Sequence, residues 1–95
     1  MTTKLDDIQL ATAVSSLPDW KLEQGELIRY ITFEGFTQSI DFVNRIAAFA
    51  EAANHHPDID IRYNKVRLAL VTHDSGGITQ KDIDLATSIE TALSK

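Results

Sequence analysis

The chain contains no cysteine. That absence excludes disulfide staples, thiolate nucleophiles and cysteine-ligated zinc, and it agrees with a reducing compartment. Long apolar runs are missing as well. The longest, residues 46–50, falls far short of the roughly 20 residues that span a bilayer, so no membrane partner is expected. No basic start followed by an apolar stretch marks an export signal, and the expected location is cytoplasmic. Basic residues are scarce: nine Lys and Arg stand against 14 Asp and Glu, for a net charge of −5. A protein that neutralises phosphates needs the opposite balance, so no nucleic-acid partner is expected.

What remains is an ordinary folding composition. The 95 residues are 43% hydrophobic and 24% charged, without linker, low-complexity segment or internal motif repeat, and they predict a single domain over 1–95 that folds throughout. The two prolines and four glycines are few enough that most mark a boundary. Asp6 and Gln9 have the spacing of a helix-start capping box with Leu5 and Leu10 as a staple, and that helix should stop before Pro18. Residues 20–23 and 27–33 flank Gln24-Gly25-Glu26 and predict a hairpin. After a break at Gly35-Phe36-Thr37, Phe42, Val43, Ile46, Ala47, Phe49, Ala50 and Ala53 recur at helical spacing, predicting a helix over 38–54. Pro57 disfavours helical geometry at His56, and Asn54 suits a left-handed C-terminal cap.

Alternation resumes beyond it. Ile59, Ile61 and Tyr63, a turn at Asn64-Lys65, then Val66, Leu68 and Leu70 predict a second hairpin with one face buried. A loop at 74–77 follows, and Thr79 with Asp82 opens a last helix to about Leu93. The predicted fold class is α+β, order α-β-β-α-β-β-α, with three helices on one face of a four-stranded antiparallel sheet.

All three histidines fall within one spaced run: Glu51-x3-His55-His56-Pro57-x5-Tyr63-x9-His73-x8-Asp82. Histidine changes charge near neutral pH, so three of them framed by carboxylates suggest proton transfer. Each also has a structural alternative. His55 and His56 can be one exposed and one hydrogen-bonded, Asp82 can serve only to cap a helix, and Glu51 can either orient His55 at i+4 or be a solvated charge. Trp20 can line a ligand site, but a single Trp in a small domain is more often core.

The run nonetheless resembles the signature of the pterin-4a-carbinolamine dehydratase family: an acidic residue, His-His-Pro, an aromatic, a third His and a later Asp. His-His-Pro-Asp, Tyr-Asn-Lys-Val, Thr-His-Asp and Gly-Gly-Ile-Thr-x-x-Asp-Ile carry the likeness, which is dense over 51–86 and extends in plan over 20–90. Departures are Ile59, where many relatives have an aromatic, and Asn54, where animal members have Asp. The resemblance implies elimination of water from 4a-hydroxytetrahydropterin to give quinonoid dihydropterin. That reaction recycles the pterin cofactor of an aromatic amino acid hydroxylase and uses histidine acid/base catalysis without metal or other cofactor. It implies His55, His56 and His73 as catalytic residues. The implied substrate contacts are Glu51, Asn54, His55, His56, Pro57, Val71, Thr72, His73, Asp74 and Asp82, with Trp20 as a further lining residue.

Position at a helix C-terminus, whose partial negative charge favours imidazolium, makes one of His55 and His56 the expected acid and His73 the expected base, with exchange of roles left open. The family also implies a homodimer or homotetramer, for which a sheet edge such as 27–33 is a candidate pairing surface. Two rival readings accompany it. A zinc site would draw on the histidines with Glu51, Asp58 and Asp74. A non-catalytic interaction module would use the same fold: the resembled family includes members that moonlight as a dimerisation cofactor for a transcription factor and degenerate members that assist Rubisco assembly, the latter without the histidine motif.

Overall fold

A computed structural model describes residues 3–94. Helix α1 (Asp7–Ser15) opens on the predicted capping box: Asp6 accepts from Gln9 N at 2.8 Å, while Gln9 reaches back to Asp6 N at 3.0 Å. Strands β1 (Trp20–Glu23) and β2 (Glu26–Thr32) are joined by Gln24 and Gly25, both at positive φ, as a two-residue type I′ turn demands. Helix α2 (Phe36–Ala53) leads to strands β3 (Asp58–Arg62) and β4 (Lys65–Leu70), a short 3-10 turn (His73–Ser75) and helix α3 (Gln80–Leu93).

The two hairpins join antiparallel through β2 and β4, giving the sheet order β1-β2-β4-β3. Register sorts the side chains into two faces. Leu27 opposite Leu70, and Ile31 and Ile61 flanking Val66 from either side, point to the helices; Tyr30, Arg67 and Asp60 point away. Leu27, Leu68, Leu70 and Val66 pack with Phe42 and Ile46 of α2 and Ile83, Leu85 and Ile89 of α3 in one buried cluster. Leu10, Ala13 and Val14 of α1 pack against the same cluster, so all three helices cover one face of the sheet, as the pattern implied. The open face carries Tyr30, Arg67 and Asp60 together with Ile28 and Ala69, both buried. Arg67 lies over the Tyr30 ring, whose contact raises the guanidinium pKa, and Asp60 does the same for Arg62 by hydrogen bonding.

Three expectations need correction. Helix α2 begins at Phe36, not Gln38, because its first turn faces solvent, with Phe36 half-exposed, and so leaves no trace in the apolar period. The second turn is Tyr63-Asn64, not Asn64-Lys65. Tyr63 takes φ 55° and is exposed rather than inward, and Asn64 clasps the other hairpin by accepting from Phe33 N and donating to Phe33 O. Strand β2 is internal, so 27–33 is no edge; the edges are β1 and β3.

Candidate active site

Where α2 ends, Asn54 adopts the left-handed conformation (φ 52°, ψ 41°), and the N–H groups of Asn54 and His55 return to carbonyls of the last helical turn. This cap reverses the chain so that His55, His56 and Pro57 bridge α2 to β3. Pairing of β3 with β4 closes at Asp58 opposite Ala69, and the same antiparallel course brings the His55 segment toward Thr72. Thr72 and Gly77 form an isolated bridge that pinches the loop carrying His73, and Gly76 takes the positive φ (75°) this tight return requires. From there Thr79 caps α3, with Asp82 at the third helical position.

These local devices converge on one carboxylate. Asp82 is fully buried, and its Oδ1 lies 2.6 Å from His55 Nε2. Its Oδ2 accepts from Thr79 N at 2.9 Å and from the Thr72 hydroxyl at 2.8 Å. The partial positive end of α3 supports negative charge there. Helix capping and contact with His55, alternatives in the sequence, are therefore both duties of the same side chain. A carboxylate only accepts, so a neutral His55 that donates to Asp82 does so through Nε2 and leaves Nδ1 as the nitrogen free to exchange a proton. The His55 side chain keeps 12% of its surface accessible, and among the described residues no buried side-chain nitrogen or oxygen lacks a partner, so Nδ1 reaches that accessible edge.

His56 has a different surrounding. Its Nε2 lies 2.5 Å from Glu51 Oε2, but the two side chains are 56% and 77% exposed. Of the two alternatives for Glu51, the i, i+4 contact with His55 is not made; Glu51 is an exposed charge that meets His56 instead, since the left-handed Asn54 turns His55 inward and His56 out. His73 stands exposed at the start of the 3-10 turn, directly after the Thr72 that binds Asp82. Asn54 and Asp74 are exposed, Val71 and Pro57 partly covered. Trp20 is not brought to this corner. It is 2% exposed in the core, and its indole N–H donates to Glu90 at 2.7 Å, two turns along α3 from Asp82. Tyr63 is equally remote, at the far end of β3.

Among the described residues no three His, Asp or Glu side chains gather as a set that could hold a metal ion. The two adjacent histidines turn to different carboxylates. A hollow of about 310 Å³ on the open sheet face, lined by Tyr30, Thr32, Arg62 and Lys65 among others, includes none of the histidines.

A family model described as Pterin 4 alpha carbinolamine dehydratase matches residues 3–92. The chain belongs to the pterin-4a-carbinolamine dehydratase family. It is 60% identical over 80 residues to a protein of Acidobacterium capsulatum named "Putative pterin-4-alpha-carbinolamine dehydratase", covering 84% of this chain and 87% of that one. A Chloroflexus aurantiacus protein of the same name is 51% identical over 87 residues, covering 92% and 94%. The crystal structure of a transcriptional coactivator/pterin dehydratase from Brucella melitensis superposes with a TM-score of 0.90 at 27% identity, covering 94% of this chain and 97% of that chain. A pterin dehydratase-like RuBisCO assembly factor of the alpha-carboxysome shares the fold (TM-score 0.61, 19% identity, 76% and 83% covered). No helix among the described residues is long and apolar enough to cross a membrane.

Thr79 is the residue the sequence left outside the site. Its T-x-x-D spacing announces only a cap, whereas its hydroxyl also meets Thr72 at 2.8 Å, a contact across the loop that no local pattern encodes.

Proposed function

We propose that this member of the family dehydrates a 4a-hydroxytetrahydropterin. The elimination breaks the C4a–O bond, releases the hydroxyl as water after protonation, removes the proton from N5 and forms the C4a=N5 bond of a quinonoid dihydropterin. One acid and one base facing the ring suffice. The observation that carries this reading is the buried His55–Asp82 pair, because it fixes which imidazole atom can exchange a proton. When His55 holds both protons, Nε2–H stays with Asp82 and Nδ1–H is delivered to the departing hydroxyl. His73, on the adjoining turn, takes the N5 proton. His56, Asn54, Pro57, Val71 and Asp74 border the pterin, and Glu51 steadies His56.

A non-catalytic interaction role is the second reading, favoured only by the two structural neighbours, one a transcriptional coactivator/pterin dehydratase and the other a RuBisCO assembly factor. The intact set His55, His56, His73 and Asp82 supports the enzyme, since function rests on the site rather than on the fold. The implied homodimer or homotetramer would pair through β1 or β3 if it uses a sheet edge, and sedimentation at several concentrations tests it. For the activity, stopped-flow decay of 4a-hydroxytetrahydropterin is compared between wild type and the His55→Ala and His73→Ala variants at equal folded concentration. Acceleration by wild type that falls on the order of 100-fold or more in each variant is expected. A correctly folded wild type that leaves the decay unchanged refutes the enzyme reading.

A further inference from the structure

Thr72 and Thr79 lie beneath the histidine corner, buried, and their hydroxyl groups join each other and Asp82 in one run. Thr72 Oγ1 is 2.8 Å from Asp82 Oδ2 and 2.8 Å from Thr79 Oγ1, and Thr79 Oγ1 accepts from Lys81 N at 3.2 Å. Proton counting gives this chain one direction. A threonine hydroxyl has a single proton to donate, and a carboxylate only accepts. The Thr72 proton therefore goes to Asp82, so Thr72 must accept at its other contact and Thr79 must be the donor there. Thr79 in turn has lone pairs left for the backbone N–H groups at the start of α3.

The run is thus Lys81 N–H to Thr79 hydroxyl, to Thr72 hydroxyl, to Asp82 Oδ2, with Thr79 N–H reaching the same oxygen. Every hydroxyl dipole in it points its hydrogen toward Asp82. The carboxylate is left with Oδ2 held by two donors and Oδ1 directed at His55. Chains of this kind polarise one another, so each member strengthens the next.

We propose that Thr72 and Thr79 are positioning residues that act through Asp82: their directed hydroxyl relay locks neutral His55 in the Nε2–H tautomer and reserves Nδ1 for proton exchange. This assigns Thr72 a task different from the pterin contact expected from the sequence, because its hydroxyl is turned inward and spent on Asp82. Neither threonine touches the reacting atoms. The inference rests on the proposed dehydratase reaction for its catalytic meaning, but its structural content does not depend on that reaction.

The test separates the two. Long-range ¹H–¹⁵N spectra of ¹⁵N-labelled protein report the tautomer of each histidine ring, and His55 is assigned by its loss in His55→Gln. Wild-type His55 should show the Nε2–H pattern once it is neutral, while exposed His56 and His73 average between forms. In Thr72→Val, which keeps shape and removes the hydroxyl, a substantial Nδ1–H population should appear at His55, with turnover lowered on the order of tenfold and KM little changed. Thr72→Ser should restore both, which a purely packing role of the γ-methyl would not do.

An Nδ1–H tautomer at His55 of wild type overturns the proposal, as does a Thr72→Val protein, folded by circular dichroism, whose His55 tautomer and turnover match wild type. If Thr72→Val fails to fold, Thr72→Ser decides. It retains the relay by the proposal and must keep the Nε2–H pattern and wild-type turnover, and loss of either contradicts it. If wild type shows no dehydratase activity while the tautomer shifts as described, the reaction assignment fails and the relay stands.

Discussion

His55 and His56 are the same residue type at consecutive positions after the same helix, yet one is built into the protein and the other stands beside it. His55 meets a fully buried carboxylate that two further donors, the Thr72 hydroxyl and Thr79 N–H, hold in place; His56 meets a carboxylate that is itself mostly in water. Similar short distances therefore carry different weights. A solvent-exposed ion pair is worth roughly 0–1 kcal/mol and is screened by salt, whereas removing one member of a buried pair leaves its partners uncompensated. The lesson is that a His-His pair should be read as two residues, separated by the geometry of the cap that precedes them.

The sharpest way to break this contrast is Asp82→Ala. It strips the acceptor from His55, Thr72 and Thr79 N at once and breaks the reciprocal half of the α3 capping box, so a loss of about 3 kcal/mol in chemical denaturation and of about 100-fold or more in turnover is expected. Asp82→Asn refines it: the amide keeps the shape and one acceptor, so stability should recover in part while turnover stays low. Next is the hinge that divides the two histidines. Asn54→Ala should cost on the order of 1 kcal/mol, because alanine resists the left-handed backbone at φ 52°, and Asn54→Gly should not.

Trp20→Phe should lower stability by about 1 kcal/mol through loss of the bond to Glu90 and leave turnover unchanged, in keeping with a core position. An altered KM would return Trp20 to the ligand wall. Glu51→Gln should have the smallest effect, less than about 0.5 kcal/mol and less than threefold in turnover, shrinking further at high salt.

Most of the scaffold was legible in the chain. The capping boxes at Asp6 and Thr79, the Gly25 turn, the left-handed cap at Asn54 and the strand alternation each have local causes, and the structure shows them where the spacing put them. The errors share a reason. Phe36 lies on a solvent-facing turn, Tyr63 occupies an uncommon backbone region that an Asn beside it would fill more easily, and β2 is internal only because the second hairpin joins it across a long separation in sequence. At the site, the spacing named the residues but not their pairing. Which histidine faces Asp82, and that Glu51 turns to His56, depend on the direction in which one left-handed residue sends the chain. The resemblance alone names Trp20 as a lining residue; its contact with Glu90, 70 residues away, has no local signal in the sequence.

The most direct measurement is the turnover of 4a-hydroxytetrahydropterin by His55→Gln and His56→Gln side by side, each at matched folded concentration. A loss on the order of 100-fold or more for His55→Gln against less than about tenfold for His56→Gln is expected if the buried, Asp82-held ring carries the proton transfer. Equal losses, or a larger loss at His56, would contradict that assignment.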